Sequence, residues 1–249
     1  MKVNIVIPFL FFTAMIAACK KDTFHRTVEE VKGFESDAFI KFYNATVGTP
    51  VANVYLEDNK MSASLLGYTN LLPSSTTYAA IAAGGRNIKI KDTNQVSPKL
   101  SLNIITTLEK GKFYSVFLYD TVTKAKYQVV EDLIQEPADT SARIRFANLV
   151  YNSTTTPNVD IYSQNLQRNV FTNIPREQVT PFIDHPSKKA DTFYIRATGT
   201  TTNLVTNGTT NSTIFTPGVH RHYTIIFRGR YGLTGTGTTA RALTFMTNF

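Results

Sequence analysis

Tryptophan is absent from the 249 residues, cysteine occurs once and histidine four times. A single thiol excludes an intramolecular disulfide and a cysteine-built zinc site, and it leaves Cys19 for some other use. His25, His185, His220 and His222 are the whole imidazole supply, so a metal centre would need carboxylates brought in by folding. Without tryptophan the best aromatic platform for stacking a sugar ring is missing, although tyrosine can replace it. Long apolar runs are missing too. Val3 to Ile16 falls short of the roughly 20 residues that a stable bilayer-spanning helix requires.

That short run has a different reading. Lys2 supplies a charged start, the apolar stretch follows, and Ile16-Ala17-Ala18-Cys19 closes it with two small residues directly before the lone cysteine. This is the pattern of a cleaved leader, residues 1–18, and the small pair followed by Cys looks like a bacterial lipobox. Cys19 is therefore expected to become the lipidated first residue of the mature chain. Each buried lipid methylene contributes about 0.8 kcal/mol, so several acyl chains on one thioether would anchor the protein durably. Residues 19–36 read as a tether, of which the polar and charged stretch from Lys20 to Ser36 reaches roughly 55 Å at about 3.3 Å per residue.

The remaining chain keeps an excess of basic side chains, 26 against 18 acidic over the whole sequence. Such a balance favours anionic surfaces, but Lys41, Lys60, Arg86, Lys99, Arg143, Arg168, Arg196 and Arg228 are scattered rather than clustered. They read as a solvated surface, and export argues against nucleic acid as a partner. The body is rich in Thr, Asn, Tyr, Phe, Val and Ile, the composition of pleated, half-buried strands. Period-two alternation recurs: Ile40 and Phe42 share one face of 39–43, Ile88 and Ile90 one face of 87–91, and 114–119 is apolar on both faces. No amphipathic helix of useful length is present, Val28 to Phe34 being the nearest candidate.

The chain also resembles itself. Ala38-Phe39-Ile40-Lys41-Phe42-Tyr43-Asn44 aligns with Ala142-Arg143-Ile144-Arg145-Phe146-Ala147-Asn148. Thr49-Pro50-Val51-Ala52-Asn53-Val54-Tyr55 aligns with Thr156-Pro157-Asn158-Val159-Asp160-Ile161-Tyr162, and the Gly-led strands beginning at Gly111 and Gly218 correspond in the same order. The expected organisation is two β-sandwich modules, 37–134 and 141–249, separated by the polar segment around Pro137. Several short strands per module with turn residues about every ten positions point to an immunoglobulin-like architecture.

These three strand signatures resemble DUF4397, a family of domains of unknown function found in tandem in lipoproteins of Bacteroidota. The resemblance implies the β-sandwich fold in both modules and an envelope location, and the Cys19-Lys20-Lys21-Asp22 start is similar to mature lipoproteins of that phylum. After Asn173 the second module departs from the pattern, where Pro175, Pro181 and Pro186 interrupt strands. The family brings no established activity and hence no catalytic residues.

A search for chemistry in the residues finds little. His220 and His222 would share one face of a strand, with Asp184 or Asp191 as a third ligand only after folding, so surface histidines are the expectation. Asp184-His185 with Ser187 lacks a nucleophile elbow. Gly235 to Ala240 spells a dinucleotide pattern, but too little chain follows for a βαβ unit, and the segment reads as a hairpin loop. Gly84-Gly85 reads as a turn and Thr198 to Thr213 as an exposed loop. Tyr43, Tyr55, Tyr68, Tyr78, Tyr151 and Tyr231 are expected half-buried, with their hydroxyls in water.

The resulting expectation is an all-β, lipid-anchored envelope protein of two tandem immunoglobulin-like sandwich modules. It would act by binding, adhesion or structural support, with no catalytic residues, no metal and no cofactor. The alternative is a glycan-binding accessory lipoprotein of an outer-membrane uptake system. Expected partners are the membrane, through the lipid on Cys19, and an envelope protein or extracellular polysaccharide, at the outer membrane and facing the cell surface or, second, the periplasm. No ligand-binding residue is singled out.

Overall fold

In strand β1 (Asp37–Asn44) the side chains alternate, yet both faces are buried. Ala38, Ile40 and Phe42 enter one apolar core, while Lys41 and Tyr43 point into a separate layer on the other side. The rest of the fold follows from this double burial. The computed structural model describes residues 36–48, 50–61, 64–74, 77–93, 99–206, 215–235 and 237–249. The leader, Cys19, His25 and the helix candidate at 28–34 lie outside them.

Two sheets form from the strands up to Asp132. One holds β4 (Leu71–Leu72) and β5 (Ala79–Ala82) beside β1, followed by β8 (Phe113–Tyr119) and β9 (Lys126–Asp132). The other runs β3 (Asn59–Lys60), β2 (Ala52–Leu56), β6 (Gly84–Asp92), β7 (Ser101–Leu108). Ile40, Phe42 and Val116 of the first sheet pack on Val54, Ile88, Ile90 and Ile104 of the second. The pair encloses one dry core, as two sheets with apolar inner faces must.

The strands from Ala142 onward repeat this plan. β10 (Ala142–Asn148) lies between β13 (Ile183–His185) and β16 (His222–Arg228), with β17 (Ala242–Thr247) beyond β16. The opposing sheet runs β12 (Arg168–Ile174), β11 (Val159–Ser163), β14 (Phe193–Ala197), β15 (Asn203–Thr206). Its core sets Ile144, Phe146 and Ile225 against Ile161, Phe193 and Ile195. Among the described residues the protein is all-β and has no α-helix, with a 3-10 turn at Val122–Lys124.

Each half contains one parallel pair, β1 with β8 and β10 with β16, among otherwise antiparallel ladders. The hairpin rhythm of the sequence gives no hint of this, because the partners lie 74 residues apart in one half and 79 in the other. A third cluster then joins the halves: Tyr43, Ala45, Phe117 and Tyr119 pack on Ala147, Leu149, Ile226 and Met246. The central strands are thus covered on both sides, and residues 33–249 form one compact unit.

Several expectations need correction here. Lys41 and Tyr43 are buried at the junction of the halves, not solvated. Gly84 and Gly85 open β6 and are not a turn between hairpin strands; β5 and β6 belong to different sheets, so the chain crosses the sandwich at Ala83. Within the stretch read as a loop from Thr198, residues 203–206 form β15 against β14.

Candidate functional site

Three places gather polar side chains. The first is the junction of the halves, where Lys41 and Arg145 occupy matching positions on β1 and β10. Asp132, at the end of β9, is fully buried and meets Arg145 Nη2 at 2.6 Å. Its other oxygen accepts the hydroxyls of Tyr78 and Ser115, each at 2.6 Å, and the amide of Asn248 at 3.2 Å. Arg145 Nε donates to Thr224 Oγ1 at 2.8 Å, which donates onward to Asn248 Oδ1 at 2.7 Å. Lys41 Nζ donates to the Thr247 carbonyl at 2.9 Å and lies over the Tyr78 ring.

Burial lowers Lys41 to about 8, with the Asp132 carboxylate pulling the other way. Burial raises the Tyr78 hydroxyl, and the adjacent Asp132 carboxylate raises it further. Burial likewise pushes Tyr43 up to about 12. The network has little access to solvent, so it can lock the halves together but offers no ligand a way in.

The second place concerns the histidines. His220 and His222 do not share a strand face: His220 sits in the turn before β16 with φ of 59°, its Nδ1 2.5 Å from Glu136. His222 is buried on β16, its Nε2 3.1 Å from the Gln135 carbonyl, and burial holds its pKa below the usual histidine range. His185 is buried 3.1 Å from Asp191, whose same oxygen accepts Ser163 Oγ at 2.5 Å. Burial pushes the Asp191 carboxyl up, but hydrogen bonds from His185, Ser163 and the Asn165 amide overcome it and leave the pKa lowered. Asp184 pairs with Arg143 at 3.0 Å and Ser187 donates to the Thr140 carbonyl, so neither joins His185. Among the described residues no three potential metal ligands converge.

The third place is open. Beyond β1 the chain continues the parallel ladder, with Val47 bridged to Thr121; beyond β10 Tyr151 is bridged to Arg230 in the same way. The loops after β1, β6, β8, β10 and β16 therefore meet at one end of the unit, around a groove of about 750 Å³. That volume falls in the range of about 300–1,000 Å³ typical of small-molecule sites. Val47, Val51, Thr93, Thr121, Val122 and Lys124 come from the first half, Tyr151 and Arg230 from the second. A shallower extension passes Tyr151, Asn152 and Ser153, and a neighbouring hollow runs from Asn152 towards Arg176.

The backbone holds this pair of side chains firmly. Tyr151 N donates to the Gly229 carbonyl at 2.7 Å, Tyr231 N to the Tyr151 carbonyl at 2.8 Å, and Arg230 N to the Thr239 carbonyl at 2.8 Å. Gly229 makes the bend possible with φ of +89°, and a Cβ there would lie 2.2 Å from the Ala240 carbonyl oxygen. The Arg230 guanidinium lies 5.5 Å from the centre of the Tyr151 ring. Sequence reasoning flagged Tyr151 only as one of six tyrosines and missed Arg230 and Gly229. The available signal was the equivalence of 44–47 with 148–151, which puts Tyr where the first half has Val.

Five of the six tyrosines face a cation in this way: Tyr55 with Lys91, Tyr68 with Arg228, Tyr78 with Lys41, Tyr151 with Arg230 and Tyr231 with Arg241. The pairing with cations is what the composition did not reveal.

No curated protein matches the chain. The pattern of a domain of unknown function matches residues 38–162, which takes in the first half from Ala38 onward, β10, and β11 as far as Tyr162, and the chain belongs to that family, DUF4397.

Proposed function

We propose that this DUF4397 protein is a lipid-anchored envelope protein that acts by binding, through the groove at the loop end, and not by catalysis. Residues 142–249 serve in this reading as a second module of the same kind, since both halves share one strand order. The observation that carries it is the groove's position and make-up. Loops from both halves contribute, and the groove lies past the far end of β1 from Asp37, where the chain enters the unit. A lipid on Cys19 would tether the unit through the chain that precedes Asp37, and no groove residue belongs to that segment. A concave site with a held aromatic ring suits a polymer segment or saccharide better than a flat protein face. It therefore favours the glycan-binding reading over protein adhesion.

Two experiments test this. Cys19→Ser should move the protein from the membrane to the soluble fraction; retention in the membrane would overturn the anchor. Wild-type chain purified in detergent should be retained on a polysaccharide fraction extracted from the envelope of its own cells, and Tyr151→Ala should lower that retention. Equal retention of both proteins would remove the groove from the reading.

A further inference from the structure

Resting on the groove as a binding site, we infer that its ligand is an anionic saccharide, one bearing carboxylate or phosphate groups. The groove combines the two things such a ligand needs. The Tyr151 ring supplies a flat apolar face for a sugar ring. Arg230, held beside it, supplies a planar fork of donors that fits a carboxylate or phosphate in two-point contact.

The charge balance of the lining points the same way. Lys124 and Arg230 both line the groove, and among the described residues neither has a carboxylate within ion-pair distance. The one acid of the groove lining, Asp92, accepts a hydrogen bond from the Leu100 amide at 3.2 Å. The lining thus sets two cations against one carboxylate, an excess of positive charge that a neutral sugar has no use for.

The comparison between the halves makes the point sharper. Val47 and Tyr151 are equivalent, each three residues after the matching Asn44 and Asn148, and Thr121 and Arg230 are their equivalent partners across the parallel bridge. Asp120, with φ of 73°, stands where the second half has Gly229. The scaffold is the same in both places, and only the second half carries an aromatic ring and a guanidinium on it. The equivalent Val47 and Thr121 line the same groove, so the ring and the guanidinium share it with their small, uncharged counterparts.

The test is calorimetric titration of the full-length chain in detergent with three probes: trigalacturonate, a phosphorylated mannose trisaccharide and neutral galactotriose. Both acidic probes should bind, the neutral one at least about tenfold more weakly, and added salt should weaken the acidic probes as it screens the contact. Binding of one acidic probe alone identifies the anionic group as carboxylate or phosphate. Arg230→Gln should weaken acidic binding at least about tenfold, since a charge-assisted two-point contact is lost, while Lys60→Gln on β3 should leave it unchanged. Equal binding of acidic and neutral probes, abolished by Tyr151→Ala, would overturn the anionic preference and leave the groove as a binding site. If no probe binds while the chain is still retained on envelope polysaccharide, the inference fails and the functional reading survives. Loss of both would end both.

Discussion

Replacing Asp132 with Asn is the sharpest perturbation the fold allows, because the side chain keeps its size and loses only its charge. Asp132 is fully buried, and its two oxygens have different duties. One receives Tyr78, Ser115 and Asn248, contacts that an amide oxygen can still accept. The other faces Arg145 at 2.6 Å, so the amide nitrogen of Asn would set donor against donor. Arg145 would then remain buried with only the Phe182 ring at 4.6 Å, the Phe117 ring at 5.6 Å and Thr224 around it. Removing one partner of such a pair costs about 3–5 kcal/mol. With a urea dependence of about 2 kcal/mol per molar, the midpoint falls by about 1.5–2.5 M. Because the network joins the halves, the single transition should also broaden or divide in two. Replacing both partners, Asp132→Leu with Arg145→Met, should recover most of the loss, since no uncompensated charge is left. A midpoint change worth less than about 0.5 kcal/mol for Asp132→Asn would refute the reasoning.

Three further outcomes follow from buried groups. Burial holds Lys41 at about 8, so between pH 8 and its unfolded value of 10.5 the unfolded chain binds the extra proton, and stability rises with pH across that window. Melting temperature should climb from about pH 8 to about 9.5 in the wild type, and Lys41→Met should flatten the climb. His222 has a lowered pKa, so the unfolded chain takes up its proton first and stability falls as pH drops below 6.5. His222→Gln should shallow that acid limb, and an unchanged slope would remove His222 from it. Gly229→Ala combines a φ of +89° with a contact of 2.2 Å and should cost at least about 2 kcal/mol, whereas Gly85→Ala meets no atom within 4 Å and should be nearly neutral by the same chemical denaturation.

The fold class was legible because alternation reports directly on a face that is buried or wet. Ile88 and Ile90 are buried on β6 as their spacing predicts, and 114–119 is buried on both faces as a largely apolar run should be. What the pattern hides is a second burial. On β1 the alternation of Ile40 and Phe42 with Lys41 looks like one wet face, yet Lys41 is buried because a second sheet covers it. A strand sequence records which residues differ from their neighbours, not what lies opposite them. The groove was illegible for a related reason. Tyr151 and Arg230 lie about eighty positions apart and meet only through the parallel bridge between the segments that follow β10 and β16.

The junction also explains why the halves are not chemically identical. Lys41 pairs with Ser115 across β1 and β8 as Arg145 pairs with Thr224 across β10 and β16, and Asp132 stands at the end of β9 as Asn248 stands just past β17. Two cations, two hydroxyls and two acid-shaped side chains thus surround one centre, with Ser115 donating to Asp132 and Thr224 to Asn248. A strictly repeated sequence would put aspartate at both ends. Asp132 and Asn248 approach to 3.2 Å, and two carboxylates at that distance cannot both ionise in a buried site, so one would have to hold a proton. With Asn at 248 the pair becomes a donor and an acceptor, the single negative charge goes to the bidentate-capable Arg145, and Lys41 is left with a backbone carbonyl and the Tyr78 ring. Burial then lowers the pKa of Lys41, against the pull of the one carboxylate at the junction, and the division is what lets the two halves bury these groups against each other.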